Sequence, residues 1–511
     1  MLVGNCTKAL ATSRVGFSWN IFFFIFIFAL ATIQLNQPLG LDELGTYLTI
    51  CKGVSRSIQL AIENPQQSPP YYFILGLWTK AFGTSEIALR MPSLIFALAT
   101  LYISYLIFEK LYGKRISSSA ILVLGLNFNY FFDVALAARP YSLALLMAVL
   151  SLFYLTKWKP PGLLNSNFIL AVSFSILSVY AHLTAILSVS IPILYLLFYH
   201  KTNFVKATIC FSLAVIALAV FPIVFPGTVF HDSKVYTLIP QSHLLDFGIY
   251  YSYFSDLIEN LRFVFLSLLL AALPSIYWRI ERVGQLNIKI KYEFIIAWLL
   301  APIIIFYIFE LMTGTFLMAT RYTYWSLAAK SLIISCLLVS FSRSEKHLSR
   351  SKLIYILLSC FVLAVGVYVK SDTTSWRSIA STINELKKGR KNSAVFLAAP
   401  FVEGRSVEYL KKYEGVGNFN APFNYYRINL PTYILPNERQ SSENIEFEDR
   451  LLTNHLGRVN HLILISSWNG VYPIKQVAEK MSNFGYQVIG KLILDNFEII
   501  ELEKIQETIA N

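Results

Sequence analysis

Long apolar runs dominate the first 370 residues of the chain. A helix that crosses a bilayer needs about 20 mostly apolar residues. Runs of this kind predict eleven spans, at 17–35, 87–108, 117–136, 140–156, 167–181, 183–199, 204–225, 261–278, 294–312, 322–341 and 353–370. The pair 167–181 and 183–199 is also compatible with one long tilted helix. The pattern therefore predicts an all-α polytopic membrane bundle.

Two other parts of the chain follow different patterns. The run 71–82 is too short to span, and its aromatic residues and single lysine predict a helix lying in the membrane interface. The region 371–511 alternates helix-like stretches (375–388, 473–484) with strand-like runs (394–399, 461–466, 486–494, 498–501). We therefore predict a membrane domain over 1–370, which includes an outer loop over 36–86, and a soluble α/β domain over 371–511.

Composition supports a membrane protein. Of the 511 residues, 55% are hydrophobic and 14% charged, whereas soluble domains carry about 25% charged residues. These values exclude a water-soluble, disordered, collagen-like or coiled-coil protein. The five cysteines are scattered without a CxxC spacing, so neither a disulfide framework nor a cysteine metal site is predicted.

The net excess of positive charge lies in the predicted membrane domain. The chain has a net charge of +13, but 371–511 holds 16 basic and 16 acidic residues. The basic excess sits between apolar runs, which favours membrane orientation over a nucleic-acid partner. With the N-terminus in the cytoplasm, nearly every short basic cluster falls on the cytoplasmic side. We therefore predict a multi-pass protein of the plasma (inner) membrane, with an uncleaved first span and a periplasmic or extracellular C-terminal domain.

Charged residues at the predicted outer face are the candidates for function, because charges at membrane depth are costly. Asp42 and Glu43 follow the first span. They suit a general base or a cation site, and a solvated loop start is the plain alternative. Arg139 opens the fourth span and either binds an anionic ligand, pairs with Asp133, or only reaches lipid phosphates.

The remaining candidates have plain structural readings. His182, between two spans, is a structural hydrogen-bonding group or a ligand contact, and Arg321-Tyr322 has the form of an interfacial anchor. The neighbours His231 and Asp232 resemble a metal-binding pair, but neither His243 nor another residue follows at the spacing of a third ligand. No metal site is therefore predicted there, although the sequence is compatible with a divalent metal. No P-loop or GxGxxG motif follows a strand, which disfavours a nucleotide-driven motor.

Several short motifs occur in a fixed order. They are Asp42-Glu43, Ser68-Pro69-Pro70-Tyr71-Tyr72, Arg90-Met91-Pro92-Ser93, Ala138-Arg139-Pro140-Tyr141, Tyr180-Ala181-His182 and Arg321-Tyr322. This order resembles the GT-C glycosyltransferases, in the branch of protein O-mannosyltransferases and of the aminoarabinose transferases that act on lipid A. The resemblance covers about residues 1–340.

The resemblance implies an inverting hexosyl or pentosyl transferase at the outer face of the membrane. Such enzymes take a sugar from a polyprenyl-phosphate carrier and give it to the hydroxyl of a lipid, a glycan or a protein. It implies Asp42 as general base with Glu43 beside it, and Arg139 and Arg321 near the carrier phosphate. The other residues that would bind substrate are Asp133, Tyr141, His182 and Tyr322. No resident cofactor is implied beyond the lipid-phosphate-linked sugar donor.

The chain departs from its relatives at two positions. Ser68 stands where they usually have histidine, and Leu136-Ala137 replace a frequent Gln-Glu, so the second acidic group is missing from its usual place. Asp133 lies four residues before Ala137, which is one turn of a helix, and is predicted to substitute for that group.

Two other functions compete with glycosyl transfer. A transporter or lipid flippase would place charges near the bilayer midplane and would be built from paired, broken-helix halves. Only Glu310 lies close to such a depth, and no internal repeat is visible. A scaffold that keeps the fold without activity is the third reading.

Overall fold

The chain forms two compact units. The computed structural model describes residues 26–63, 68–159, 165–200, 204–216, 258, 261–262, 292–313, 324–342, 345–372, 375–399, 407, 410, 421–436, 441–456, 459–466, 474–494 and 497–505. The first unit comprises 1–37 and 54–370, and the second comprises 38–53 and 371–511.

The described part of the first unit is helical. Its α-helices are Phe26–Leu35, Val54–Glu63, Pro69–Phe82, Glu86–Tyr112, Lys114–Gly125, Tyr141–Lys157, Ser166–Ala181, Ser190–Tyr199, Phe204–Val215, Tyr292–Thr313, Leu327–Phe341 and Glu345–Asp372. Among the described residues, the segments Glu86–Tyr112 and His347–Val369 are long and apolar enough to cross a membrane, and several shorter helices are also apolar. The predicted helical bundle is confirmed, while the count of eleven spans stays a prediction.

One predicted span is interrupted. The run 117–136 was expected to form one helix, but the α-helix ends at Gly125 and a π-helix occupies Tyr130–Ala135. The break has a local cause, because the Asn127 side chain accepts a hydrogen bond from the backbone N–H of Tyr130 at 3.1 Å. An asparagine side chain that binds nearby backbone competes with a continuous helix.

The two runs 167–181 and 183–199 form separate helices. The first helix ends at Ala181, and His182 adopts an extended conformation with φ −161° and ψ 128°. A 3₁₀ segment over Leu183–Val189 then leads into the α-helix Ser190–Tyr199. The alternative of one long tilted helix is therefore wrong for this stretch.

The predicted interfacial helix is present over Pro69–Phe82. Ser68 precedes it and accepts a hydrogen bond from the backbone N–H of Tyr71, so the serine that replaces the relatives' histidine serves as an N-cap. Phe73 and Leu77, one turn apart, are exposed. Their exposure on one face agrees with a helix that rests on lipid.

The second unit is built around a five-stranded sheet. Its strands are β1 (Ser393–Ala398), β2 (Thr432–Leu435), β3 (His461–Ser466), β4 (Tyr486–Leu494) and β5 (Phe497–Lys504), in the order β2-β1-β3-β5-β4. β1 pairs in parallel with β2 and β3, whereas β5 pairs antiparallel with β3 and β4. The α-helices of this unit are Leu41–Ile50, Trp376–Leu386, Ala421–Tyr425, Ser442–Leu456 and Ile474–Ser482.

The α/β character predicted for the C-terminal region is confirmed. Four of the strands and the helices near 376 and 474 lie where the pattern predicted them. The pattern missed β2, which is four residues long and mostly half-exposed, and the helix Ser442–Leu456. That helix joins the same hydrophobic core as the sheet, where Phe396, Leu452 and Leu464 are buried together.

The segment 38–53 belongs to the second unit, although the sequence placed it with the outer loop of the membrane domain. The reason is packing around Leu41–Ile50, in which Leu44 is fully buried. The Tyr47 ring meets the Tyr425 ring edge-to-face at 4.7 Å, and the backbone N–H of Leu39 donates to the Tyr426 hydroxyl at 3.0 Å.

A buried polar network crosses the sheet of the second unit. His461 Nε2 lies 2.8 Å from Glu501 Oε1, and its Nδ1 lies 3.0 Å from Ser393 Oγ. Arg390 pairs with the same carboxylate oxygen at 2.8 Å. Burial lowers the pKa of His461 and outweighs the raising effect of Glu501, while Arg390 lowers it further. The ring is therefore neutral at pH 7, with Nε2–H donating to Glu501.

We expect this histidine to make the second unit less stable in mild acid. The unfolded chain binds a proton near pH 6.5, whereas the folded state resists it. Stability is therefore complete above that pH and falls as the pH drops below it, by at most about 1.4 kcal/mol per pH unit. Thermal unfolding of the full chain between pH 7.5 and 5.0 measures the slope. His461→Gln should flatten it, and an unchanged slope in that variant would assign the acid sensitivity to other groups.

Candidate active site

The two adjacent carboxylates stand in the first turn of the helix Leu41–Ile50. Glu43 is buried, and its Oε2 accepts a hydrogen bond from the backbone N–H of Gly40 at 3.0 Å. Asp42 is exposed. A helix N-terminus favours negative charge, so the position stabilises both carboxylates. The Glu43 carboxylate therefore caps the start of this helix, and the Asp42 carboxylate is the more exposed of the two.

Asp133 is carried by the π-helix Tyr130–Ala135 and is half-buried. The Tyr130 hydroxyl fixes this turn by donating to Ala97 O at 2.7 Å. Gly366 leaves room for it, since a Cβ there would stand 2.9 Å from the Phe132 ring. Residues 136–139 have left the helix. The premise that Asp133 and Ala137 lie one helical turn apart is therefore wrong, because the π turn and the bend after it change the spacing.

Three of the sequence motifs are joined by hydrogen bonds in the first unit. The Tyr71 hydroxyl lies 3.1 Å from Ser93 Oγ, and Ser93 Oγ donates to the backbone carbonyl of Arg139 at 3.3 Å. Tyr71 and Ser93 are fully buried. A buried hydroxyl needs a partner, so this chain of contacts holds the main chain at Arg139 in one position.

An aromatic cluster lies next to Arg139. Its guanidinium carbon stands 5.8 Å from the centre of the Tyr141 ring, within the range of a cation–π contact. The Tyr141 ring lies 4.8 Å from the His182 ring and 5.3 Å from the Tyr324 ring. The structure therefore brings together Arg139, Tyr141 and His182, three of the predicted site residues.

The hydrogen bonds of His182 fix its tautomer. The backbone N–H of Thr184 donates to Nδ1 at 3.3 Å, and the Thr184 hydroxyl lies 2.7 Å from the same atom. A backbone N–H can only donate, so Nδ1 accepts, and the neutral ring carries its proton on Nε2. The Nε2–H group of His182, whose ring contacts the Tyr141 ring, is a donor suited to an anionic or hydroxyl-bearing ligand.

Arg321 and Tyr322 lie outside the described residues, as do His231, Asp232 and His243. Within the described ranges, no three His, Cys, Asp or Glu side chains gather in a way that could hold a metal ion.

Comparisons with known proteins agree with these motifs. Residues 66–225 match the model of the dolichyl-phosphate-mannose-protein mannosyltransferase family. The crystal structure of ArnT from Cupriavidus metallidurans in the apo state has a TM-score of 0.54 at 10% identity, over 95% of this chain and 98% of that one. The same enzyme bound to undecaprenyl phosphate has a TM-score of 0.52 at the same identity and coverage. The chain has the GT-C fold.

The other comparisons are weaker. The archaeal oligosaccharyltransferase AglB from Archaeoglobus fulgidus has a TM-score of 0.43 at 11% identity, over 87% of this chain and 69% of that one. No curated protein sequence matches the chain significantly.

The range matched by the family model contains several of the motifs. It includes Ser68, Arg90, Ser93 and Arg139, and it begins after Asp42. The recognition made from the sequence is therefore confirmed, whereas the role of Asp42 depends on its place after the first helix and stays a prediction.

The sequence analysis missed two residues of the first unit that stand out in the structure. Tyr324 completes the aromatic cluster, and Lys330 is 2% exposed in the helix Leu327–Phe341. A lysine inside an apolar run was a visible signal, because an ionisable residue in a membrane helix is by default a candidate for function. The position of Tyr324 had no such signal, since a tyrosine near a span end is common in membrane proteins.

Proposed function

We propose that this protein is a glycosyltransferase that takes a sugar from a polyprenyl-phosphate carrier and transfers it, with inversion, to an acceptor hydroxyl. The observation that supports this most is the Tyr71–Ser93–Arg139 contact chain, which fixes the main chain at Arg139. The Arg139 guanidinium lies near the Tyr141 ring, which in turn contacts the His182 ring. The description of the matched family names dolichyl-phosphate mannose. ArnT from Cupriavidus metallidurans, which has a similar fold, was crystallised with undecaprenyl phosphate bound.

In the proposed reaction, the acceptor hydroxyl attacks the anomeric carbon on the face opposite the phosphate. A new C–O bond forms, the bond from the anomeric carbon to the phosphate oxygen breaks, and its electron pair leaves with the carrier phosphate. The hydroxyl proton passes to the Asp42 carboxylate, which acts as general base. The transition state has oxocarbenium character, as in glycoside hydrolysis.

The cationic and donor groups of the first unit suit the leaving group. Negative charge grows on the carrier phosphate as the bond breaks, and a fixed guanidinium lowers the energy of that state. Arginine matches phosphate in geometry and stays charged. Arg139 would bind the phosphate, with Nε2–H of His182 as a neighbouring donor, and Asp133, Arg321 and Tyr322 stay predicted substrate contacts.

The proposal includes a location. We place the reaction at the outer face of the plasma membrane, with the N-terminus in the cytoplasm, because the basic clusters of the first 370 residues alternate in that sense. Single cysteines introduced at 42 and 139 in a cysteine-free background should both react with an impermeant maleimide added from outside. Labelling of the two positions from opposite sides would remove the proposed site.

A transfer assay tests the activity. Purified full-length protein in nanodiscs is incubated with radiolabelled polyprenyl-phosphate sugars and with lipid, glycan or protein acceptors. We expect the label to move to an acceptor with release of an equal amount of carrier phosphate. Movement of intact lipid-linked sugar across vesicles would support the flippase, and neither result with any donor would support the scaffold.

A further inference from the structure

Three lysines converge at one end of the helical first unit. Lys157 ends the helix Tyr141–Lys157, and Lys159 follows it by two residues. The ammonium of Lys110, from a neighbouring helix, donates to the backbone carbonyl of Thr156. All three lysines are exposed, and Lys157 and Lys159 repel the charge of Lys110. The free energy of such a cluster falls when an anion lies against it.

The protein itself offsets only a small part of this charge. A helix C-terminus carries about −0.5 of an elementary charge, against three positive charges from the lysines. Among the described residues, none of the three ammonium groups forms an ion pair with a carboxylate. Glu109 precedes Lys110 in the chain, but its carboxylate accepts the Tyr105 hydroxyl at 3.1 Å, and adjacent positions on a helix do not face each other.

The lysines have the position of groups at the boundary of a bilayer. The helix that carries Lys110 has 27 residues, a length of about 40 Å, whereas the hydrocarbon core is about 30 Å thick. The ends of this helix therefore reach the headgroups. The Lys157 ammonium turns back along its own helix and lies 4.0 Å from the centre of the Phe153 ring. A lysine that only anchors a helix extends towards water, whereas this ammonium stays beside the apolar surface.

An apolar strip runs away from the lysines along the first unit. The Lys157 ammonium lies 6.0 Å from the centre of the Tyr154 ring, and that ring stacks on the Phe174 ring with centroids 5.5 Å apart. Leu170 and Leu177, one turn to either side of Phe174, are exposed, and side chains at this spacing share a helix face. A ligand that combines a phosphate with acyl chains fits the lysines and the strip together, whereas a soluble anion uses the lysines alone.

We propose that Lys110, Lys157 and Lys159 bind the phosphate of an anionic phospholipid, whose acyl chains lie along the apolar strip. On the predicted topology this end faces the cytoplasm, and lysines next to an anionic leaflet attract its lipids. The lipid site is distinct from the candidate active site, because Arg139 lies before the start of the helix that Lys157 ends. The inference therefore goes beyond the proposed function and does not depend on it.

Native mass spectrometry of the full chain tests the site, with phosphatidylglycerol and phosphatidylcholine titrated separately. Wild-type protein should bind phosphatidylglycerol more tightly than phosphatidylcholine. A lysine near an anionic lipid contributes about fivefold in affinity, so the double variant Lys157→Gln/Lys159→Gln should bind phosphatidylglycerol about 30-fold more weakly. Lys110 is kept in this variant, because its ammonium also holds the Thr156 carbonyl.

The double variant Lys114→Gln/Lys206→Gln is the matched control. It removes the same charge from exposed residues on the same predicted side of the membrane. Its affinity for phosphatidylglycerol should stay within about threefold of the wild-type value. A second variant, Lys157→Arg/Lys159→Arg, keeps both charges and should bind nearly as the wild type does. Thermal unfolding is recorded for every variant, and phosphatidylglycerol should raise the Tm of the wild type more than that of Lys157→Gln/Lys159→Gln.

Several results would overturn the lipid site. Equal losses in the two glutamine variants would attribute the binding to net charge alone. Equal affinities of the wild type for the two phospholipids would exclude a preference for the anionic one. Displacement of phosphatidylglycerol by millimolar inorganic phosphate would show a site for soluble anions, and displacement by an equal concentration of polyprenyl phosphate would assign these lysines to the carrier.

Discussion

Asp42→Asn should abolish glycosyl transfer while the protein still folds. Asparagine has nearly the shape of aspartate, but its amide cannot accept the proton that the attacking hydroxyl loses. General base catalysis contributes about 10²- to 10⁴-fold, so kcat should fall by that factor. Donor binding should persist, because the carrier phosphate is assigned to Arg139. The measurement is initial transfer rate at saturating donor and acceptor, with donor affinity determined separately.

Glu43→Gln is the matched control for Asp42→Asn. It makes the same carboxylate-to-amide change at the neighbouring residue, and a glutamine amide oxygen can still accept the hydrogen bond from the Gly40 N–H. Its rate should fall by less than about tenfold, the size of a weakened helix cap. Normal turnover in Asp42→Asn, or equal losses in the two variants, would remove Asp42 from the role of base.

Arg139→Ala should weaken binding of the lipid-linked donor. A hydrogen bond to a charged group contributes about 1.5–3 kcal/mol, so the KM or Kd for donor should rise about 10- to 100-fold. Arg139→Lys should give an intermediate loss, because lysine keeps the charge without the paired geometry of a guanidinium. Equilibrium binding of fluorescent polyprenyl phosphate in nanodiscs measures the effect without requiring turnover.

Lys157→Ala provides the control for charge and aromatic contact. Lys157 ends the helix that Tyr141 begins, and its ammonium lies 4.0 Å from the centre of the Phe153 ring. The predicted topology places it on the cytoplasmic side, away from the donor. Carrier affinity should therefore be the same as in wild type. If Arg139→Ala behaves like this control, Arg139 is only an anchor to lipid phosphates.

Apolar patterning predicted the helices well because each one buries or exposes hydrophobic surface along its whole length. Three predicted spans coincide closely with helices of the structure, namely Glu86–Tyr112, Tyr141–Lys157 and Tyr292–Thr313. Patterning did not predict the break after Gly125, since the residues on both sides are equally apolar. The interruption comes from one side-chain hydrogen bond, by Asn127, and a hydropathy pattern does not record such a bond.

The candidate site was predicted in part for a similar reason. Arg139, Tyr141 and His182 were visible as polar or aromatic residues at span ends, and the structure brings them together. The hydrogen bonds from the buried Arg90 to the backbone carbonyls of Gln34 and Leu35 could not be predicted, because every residue has a backbone carbonyl. The roles of Glu43 and Ser68 as helix caps also depend on local geometry that the motif order alone does not give.

The helix Leu41–Ile50 comes early in the sequence but belongs to the second unit, and this has a consequence for engineering. The hydrogen bond from Leu39 to Tyr426 joins positions 387 residues apart, so the C-terminal fold borrows an element encoded near the start of the gene. A chimaera that takes only 371–511 from another enzyme would leave Leu44 and Tyr47 facing a foreign surface. Grafts should therefore carry 38–53 as well, and with this segment Asp42, the proposed base.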